Sequence, residues 1–107
     1  MCIYRTIRRR IMMLELKMTV KDSYGLVKCS GRYFIPGQGI FSYNMRLIHD
    51  CEITLCCRDK KANAKAGMSV CAINVKDGDR ITFLIEGENE DAAAEKVVDY
   101  CKELGVI

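Results

Sequence analysis

RITFLIEGENEDAAAEKVVDYCKELG, residues 80–105, is the stretch whose reading decides the fold. Ile81, Phe83 and Ile85 fall at alternate positions, the period of a strand with one buried face. Asn89 then offers a helix N-cap, and Glu90 and Asp91 put negative charge where the helix dipole favours it. Ala94, Val97, Val98, Cys101 and Leu104 make one apolar stripe, with Glu95, Lys96, Asp99 and Lys102 left for water. Gly105 suits the C-terminal cap. A strand with one apolar face followed by a helix with one apolar stripe calls for a sheet with helices packed on it.

Working backward from residue 80, Asp77-Gly78-Asp79 reads as a turn and 67–74, GMSVCAIN, as two helical turns. CEITLCC at 51–57 is a compact apolar strand, RDKK a polar turn, and KANAKA at 61–66 a second strand, so the pair predicts a hairpin. Residues 40–50, IFSYNMRLIHD, predict a helix of about three turns with Ile40, Tyr43 or Asn44, Leu47 and Ile48 near one face. Residues 27–39 hold three glycines and the only proline, which predicts a loop with room for a short strand at Arg32–Ile35. At 14–20, LELKMTV, Leu14, Leu16, Met18 and Val20 alternate with Glu15, Lys17 and Thr19, another half-buried strand. The order is β-α-β-β-α-β-α. It predicts an α+β, open-faced two-layer sandwich: a four-stranded, mainly antiparallel sheet with the helices on one face.

Composition narrows the functional classes. The chain has 107 residues, enough for one domain. Four of the 17 basic residues are Arg5, Arg8, Arg9 and Arg10, with no acid before Glu15; the other 13 stand against 14 acids. The expected organisation is a flexible basic N-terminal arm over residues 1–12 and a domain over 13–107, with Met12 or Met13 as the alternative start. A near-neutral body offers no basic face for nucleic acid, which ranks last among the partners. Seven cysteines without a Cys-x-x-Cys pair, and one histidine, argue against a zinc site. The odd cysteine count, with no recognisable secretory signal, argues against a disulfide framework. Reduced thiols used as small apolar side chains are expected, in the cytoplasm. No apolar run approaches the ~20 residues of a membrane span.

These pieces resemble HPr, the histidine-containing phosphocarrier of the bacterial sugar phosphotransferase system. The resemblance rests on EIT at 52–54, KANAK at 61–65, GMSV at 67–70, the Asp77-Gly78 turn, EGENEDAAAEKVVDYCKEL at 86–104, the strand at 14–20 and Gly25-Leu26. It implies the fold just described and a Gly-Leu-His-x-Arg-Pro signature whose histidine accepts the phosphoryl group at a helix N-terminus. Here Gly25-Leu26 is followed by VKCSG: Val27 falls at the acceptor position, Cys29 at that of the arginine and Ser30 at that of the proline. The regulatory serine of many relatives, at the start of the second helix, corresponds to Ala66. Lys28, Met68, Ser69 and Val70 are the expected partner contacts.

Valine has no nucleophile, so the expectation is a degenerate, non-phosphorylatable component of the phosphotransferase system. It would be no enzyme, need no cofactor or metal, and dock on phosphotransferase-system proteins or a regulatory protein. The alternative is a phosphocarrier with a non-standard acceptor, either Cys29 or His49.

Overall fold

A computed structural model of the chain describes residues 4–10 as backbone, together with residues 13–27 and 39–107. Five strands form one sheet: β1 (Tyr4–Arg10), β2 (Met13–Thr19), β3 (Cys51–Cys57), β4 (Lys60–Asn63) and β5 (Arg80–Gly87). Among the described residues, three α-helices, α1 (Ile40–Arg46), α2 (Gly67–Ile73) and α3 (Glu90–Glu103), and a 3-10 helix at Ser23–Leu26 accompany it. The strand order is β1-β2-β5-β3-β4, and every pairing is antiparallel.

The alternation in the sequence becomes the two faces of this sheet. Register aligns Leu14, Ile85 and Ile53 in one cross-strand row, Leu16, Phe83 and Leu55 in the next, and Met18, Ile81 and Cys57 in a third. All nine side chains are buried. The intervening rows, Glu15–Leu84–Thr54 and Lys17–Thr82–Cys56, are only half-buried. Helices therefore cover one face and leave the other open, as the binary pattern requires.

Phe41 of α1 meets Phe83 of β5 with ring centroids 5.9 Å apart. Both are fully buried, and each contributes about 2–3 kcal/mol of apolar transfer. α3 lays Ala93, Ala94, Val97, Val98 and Cys101 on the core. It ends as the sequence predicts: Gly105 takes φ +77°, Val106 N–H donates to the Cys101 carbonyl at 2.8 Å, and Gly105 N–H donates to Lys102 at 3.2 Å.

Three expectations change. Residues 4–10 are not a free arm; they are a fifth strand on the open edge of β2, from Tyr4 opposite Met18 to Arg10 opposite Met13, with a shift in register between Arg8 and Arg10. This strand pairs the row of β2 backbone groups that β5 leaves open, and charge is tolerated on an edge strand. The first helix has two turns, and it buries Phe41, Met45 and, just past its end, Ile48. Tyr43 and Leu47, assigned to the inner face, are 57% and 45% exposed. Asn89 does cap α3, but in the left-handed region and without a side-chain bond; the nearly buried Glu90 carboxylate instead accepts the Gly87 N–H at 3.3 Å.

Candidate functional site

Gly25-Leu26-Val27 is the end of the 3-10 helix that follows β2. Asp22 caps it, its carboxylate accepting the Tyr24 N–H at 3.0 Å. Asp77, from the turn after α2, reaches across and accepts the Ser23 N–H at 2.8 Å. The Gly25 N–H donates to the Asp22 carbonyl at 3.3 Å, and the Val27 N–H to the Tyr24 carbonyl at 3.0 Å. These four N–H groups are thus already in use, two of them on carboxylates.

A glycine at 25 is dictated by packing. A Cβ there would lie 2.8 Å from Val106 Cγ2 and closer still to the Leu104 carbonyl oxygen. The C-terminal segment is pinned in turn, the Lys21 N–H donating to the Val106 carbonyl at 2.6 Å.

Between this 3-10 helix and the C-terminal half of α2 lies an open cleft of about 520 Å³. Leu26, Val27, Val70 and Val75 give it an apolar floor; Asp22 and Asp77 give it negative charge. Tyr24, Cys71 and Asn74 line it as well, and Tyr24 is 62% exposed. Its described lining contains no lysine, arginine or histidine. Hydrogen bonds from the Ser23 backbone and side chain hold the Asp77 carboxyl below its usual range, so it is ionised at neutral pH.

The α2 wall of the cleft is fixed from the β3–β4 turn. Arg58, at φ +58°, pairs with Asp79 and donates to the Ile73 and Asn74 carbonyls at 3.1 and 3.3 Å. Asp79 also accepts the Lys76 N–H at 2.9 Å. A cation on the last carbonyls of a helix suits both their unsatisfied acceptors and the dipole.

The expected site residues scatter. Val27 lines the cleft, half-buried against the core. Lys28, Cys29, Ser30 and the short strand at Arg32–Ile35 lie outside the described residues. Ala66 is the N-cap of α2 and supplies no side-chain bond there. Met68 is 66% exposed, whereas Val70 is 1% exposed and lines the cleft floor from the core. Residues two apart on a helix do not share a face. Ser69 is exposed beside a wide groove with Lys60, Lys61 and Asn63. His49 is exposed beyond the C-terminus of α1, on a different segment from the cleft lining.

Sequence reasoning missed Asp22 and Asp77 as site residues. Asp22-Ser23 directly before Tyr24-Gly25 was a readable cap signal; Asp77 was read only as a turn residue. Burial also separates the thiols. It raises Cys51, Cys56 and Cys57, and it pushes Cys101 up to about 12. Among the described residues no cluster of His, Cys, Asp and Glu could hold a metal ion, and no helix is long and apolar enough to cross a membrane.

Comparison with known proteins now adds to this geometry. The family profile described as "PTS HPr component phosphorylation site" matches residues 45–103. HPr-like protein Crh of Bacillus subtilis is 29% identical over 91 residues, covering 85% of this chain and 98% of its own length. The histidine-containing phosphocarrier protein of a Mycoplasma superposes with a TM-score of 0.70 at 22% identity, covering 87% of this chain and 97% of its own. The phosphocarrier protein HPr of Bacillus anthracis superposes with a TM-score of 0.62, also at 22% identity, over 82% of this chain and 95% of its own.

Proposed function

The chain belongs to the HPr family of the phosphotransferase system, and from that membership we propose that it is a cytoplasmic, non-phosphorylatable member that acts by docking on a phosphotransferase-system or regulatory protein. The observation that carries this reading is the alkyl side chain of Val27, at the end of a 3-10 helix whose first N–H groups are already bound. Phosphoryl transfer to a carrier needs a nucleophile, free N–H donors and positive potential. At this position the side chain is an alkyl group, the Ser23 and Tyr24 N–H groups are bound to Asp77 and Asp22, and the described cleft lining is acidic. Two carboxylates beside an incoming phosphoryl group repel it.

Docking remains physically supported. Tyr43 and Leu47, one turn apart on α1, and Met68 on the first turn of α2 are exposed large apolar side chains. α1 and α2 abut, and Lys65, just before α2, donates to the carbonyls of Ile48, past the end of α1, and Cys51 of β3 at 2.6 and 2.7 Å. An apolar surface of this kind is the usual material of a protein contact. The protein would contribute no catalysis of its own.

The test is incubation of the purified protein with phosphoenolpyruvate and enzyme I, with a phosphorylatable HPr in the same mixture as control. The expected result is an unchanged intact mass for this protein while the control gains one phosphoryl group. A phosphoryl group on this protein refutes the proposal. Its loss in Cys29→Ser or His49→Gln would then identify the acceptor.

A further inference from the structure

Resting on the reading that the protein docks partners and that the cleft beside Val27 receives no phosphoryl group, we infer that this cleft takes a cationic protein segment: an arginine or lysine side chain next to an apolar one.

The charge arrangement points one way. Asp22 and Asp77 come from segments far apart in sequence and converge on one 3-10 helix. Each spends Oδ1 on a backbone N–H, at 3.0 Å to Tyr24 and 2.8 Å to Ser23, and Asp77 also accepts from the Ser23 side chain. A carboxylate has two oxygens with about four acceptor sites, so each can still receive an N–H of a cation. The two inward bonds also fix both carboxylates before a partner arrives, which lowers the ordering cost of binding. The whole chain has a net charge of +3, yet this cleft has two acids and no described cation.

The remaining lining fits the same occupant. Val27 and Val75 are half-buried, while Leu26 and Val70 close the floor beneath them, so an alkyl group can be covered. The exposed Tyr24 ring at the cleft offers a face on which a guanidinium can stack. An anionic segment would meet carboxylates and find the nearby N–H groups taken. A purely apolar segment would leave both charges without a counterion.

The experiment records 15N–1H spectra of the full chain during titration with two blocked tripeptides, acetyl-Leu-Arg-Leu-amide and acetyl-Leu-Glu-Leu-amide. The expected result is that only the arginine peptide shifts the amides of Tyr24, Val27, Cys71 and Asn74. Its affinity should fall roughly three- to ten-fold in the double variant Asp22→Asn, Asp77→Asn, as the loss of two exposed charge pairs allows. Asparagine keeps an acceptor oxygen for each N–H and is itself a good cap, so the 3-10 helix persists. Raising sodium chloride with the wild-type protein gives the same weakening without any substitution. Equal binding of the two peptides, shifts confined to other surfaces, or an affinity indifferent to both salt and the double substitution would overturn the inference. Phosphorylation in the enzyme I assay removes the premise; an unphosphorylated protein that ignores the arginine peptide removes this inference alone.

Discussion

Gly25→Ala should be among the most damaging single-methyl additions near the cleft. The new Cβ would sit 2.8 Å from Val106 Cγ2, inside the 3.0 Å that real Cβ contacts keep, and nearer still to the Leu104 carbonyl oxygen. Val106 is fully buried, and the Leu104 carbonyl is backbone, so neither can rotate away cheaply. The segment is held on both sides, by Val106 N–H to Cys101 at 2.8 Å and by Lys21 N–H to the Val106 carbonyl at 2.6 Å. Relief requires moving the 3-10 helix or the last residues as a unit. Overpacking of this kind costs about 1–3 kcal/mol. For a domain of this size that corresponds to a fall in Tm of roughly 5–20 °C, read from thermal unfolding by circular dichroism. Amide shifts should concentrate at residues 22–27 and 104–107. A Tm within about 2 °C of wild type would refute the packing argument and the coupling of the cleft to the C-terminal segment.

Acid should loosen the cleft first. The Asp77 carboxyl is lowered by the Ser23 hydrogen bonds, and that of Asp79 chiefly by the Lys76 N–H and then by Arg58. A carboxylate whose folded pKa lies below its unfolded value stabilises fully above the unfolded pKa, about 3.9, and loses that contribution as pH falls through the folded value. Denaturation midpoints should therefore drop below about pH 4, and Asp77→Asn should flatten part of the drop; an unaltered pH profile in that variant would contradict the assignment. Thiol labelling gives an independent check on burial. With its thiol pushed up to about 12, Cys101 should resist iodoacetamide at pH 8 in the native protein and react only with denaturant. Rapid native labelling of Cys101, located by peptide mass mapping, would show that α3 is not seated as described.

Much of the architecture was legible because binary pattern and tertiary demand agree. In α3 one stripe carries Ala94, Val97, Val98 and Cys101, with charged residues opposite, so the sequence favours a single buried face. In β2, β3 and β5 alternation leaves no second choice of inward residues. In α1, IFSYNMRLI holds two apolar phases: Ile40, Tyr43 and Leu47 compete with Phe41 and Met45, Ile48 is expected inside and is buried, and only contact with Phe83 and the core decides the rest. β1 suggests an arm because its arginines favour solvation, although the edge that it covers belongs to β2, the next strand in the chain. At the site, Val27 was identifiable by its place after Gly25-Leu26. The Ser23–Asp77 bond, spanning 54 positions, carries no local signal at all.

The sheet order has a consequence for how the chain reaches this state. β5 is hydrogen-bonded on one side to β2 and on the other to β3, so it is the piece that joins two ribbons, β1-β2 and β3-β4, that do not otherwise pair in the sheet. During synthesis both ribbons leave the ribosome well before residues 80–87. Each then exposes an apolar face and an unmatched edge. Two-stranded ribbons are marginal in water, and pairings between distant segments form slowly. The protein therefore commits to its fold late, when one strand arrives to close both halves at once, and until then its half-built sheet is the state most open to unwanted strand pairing.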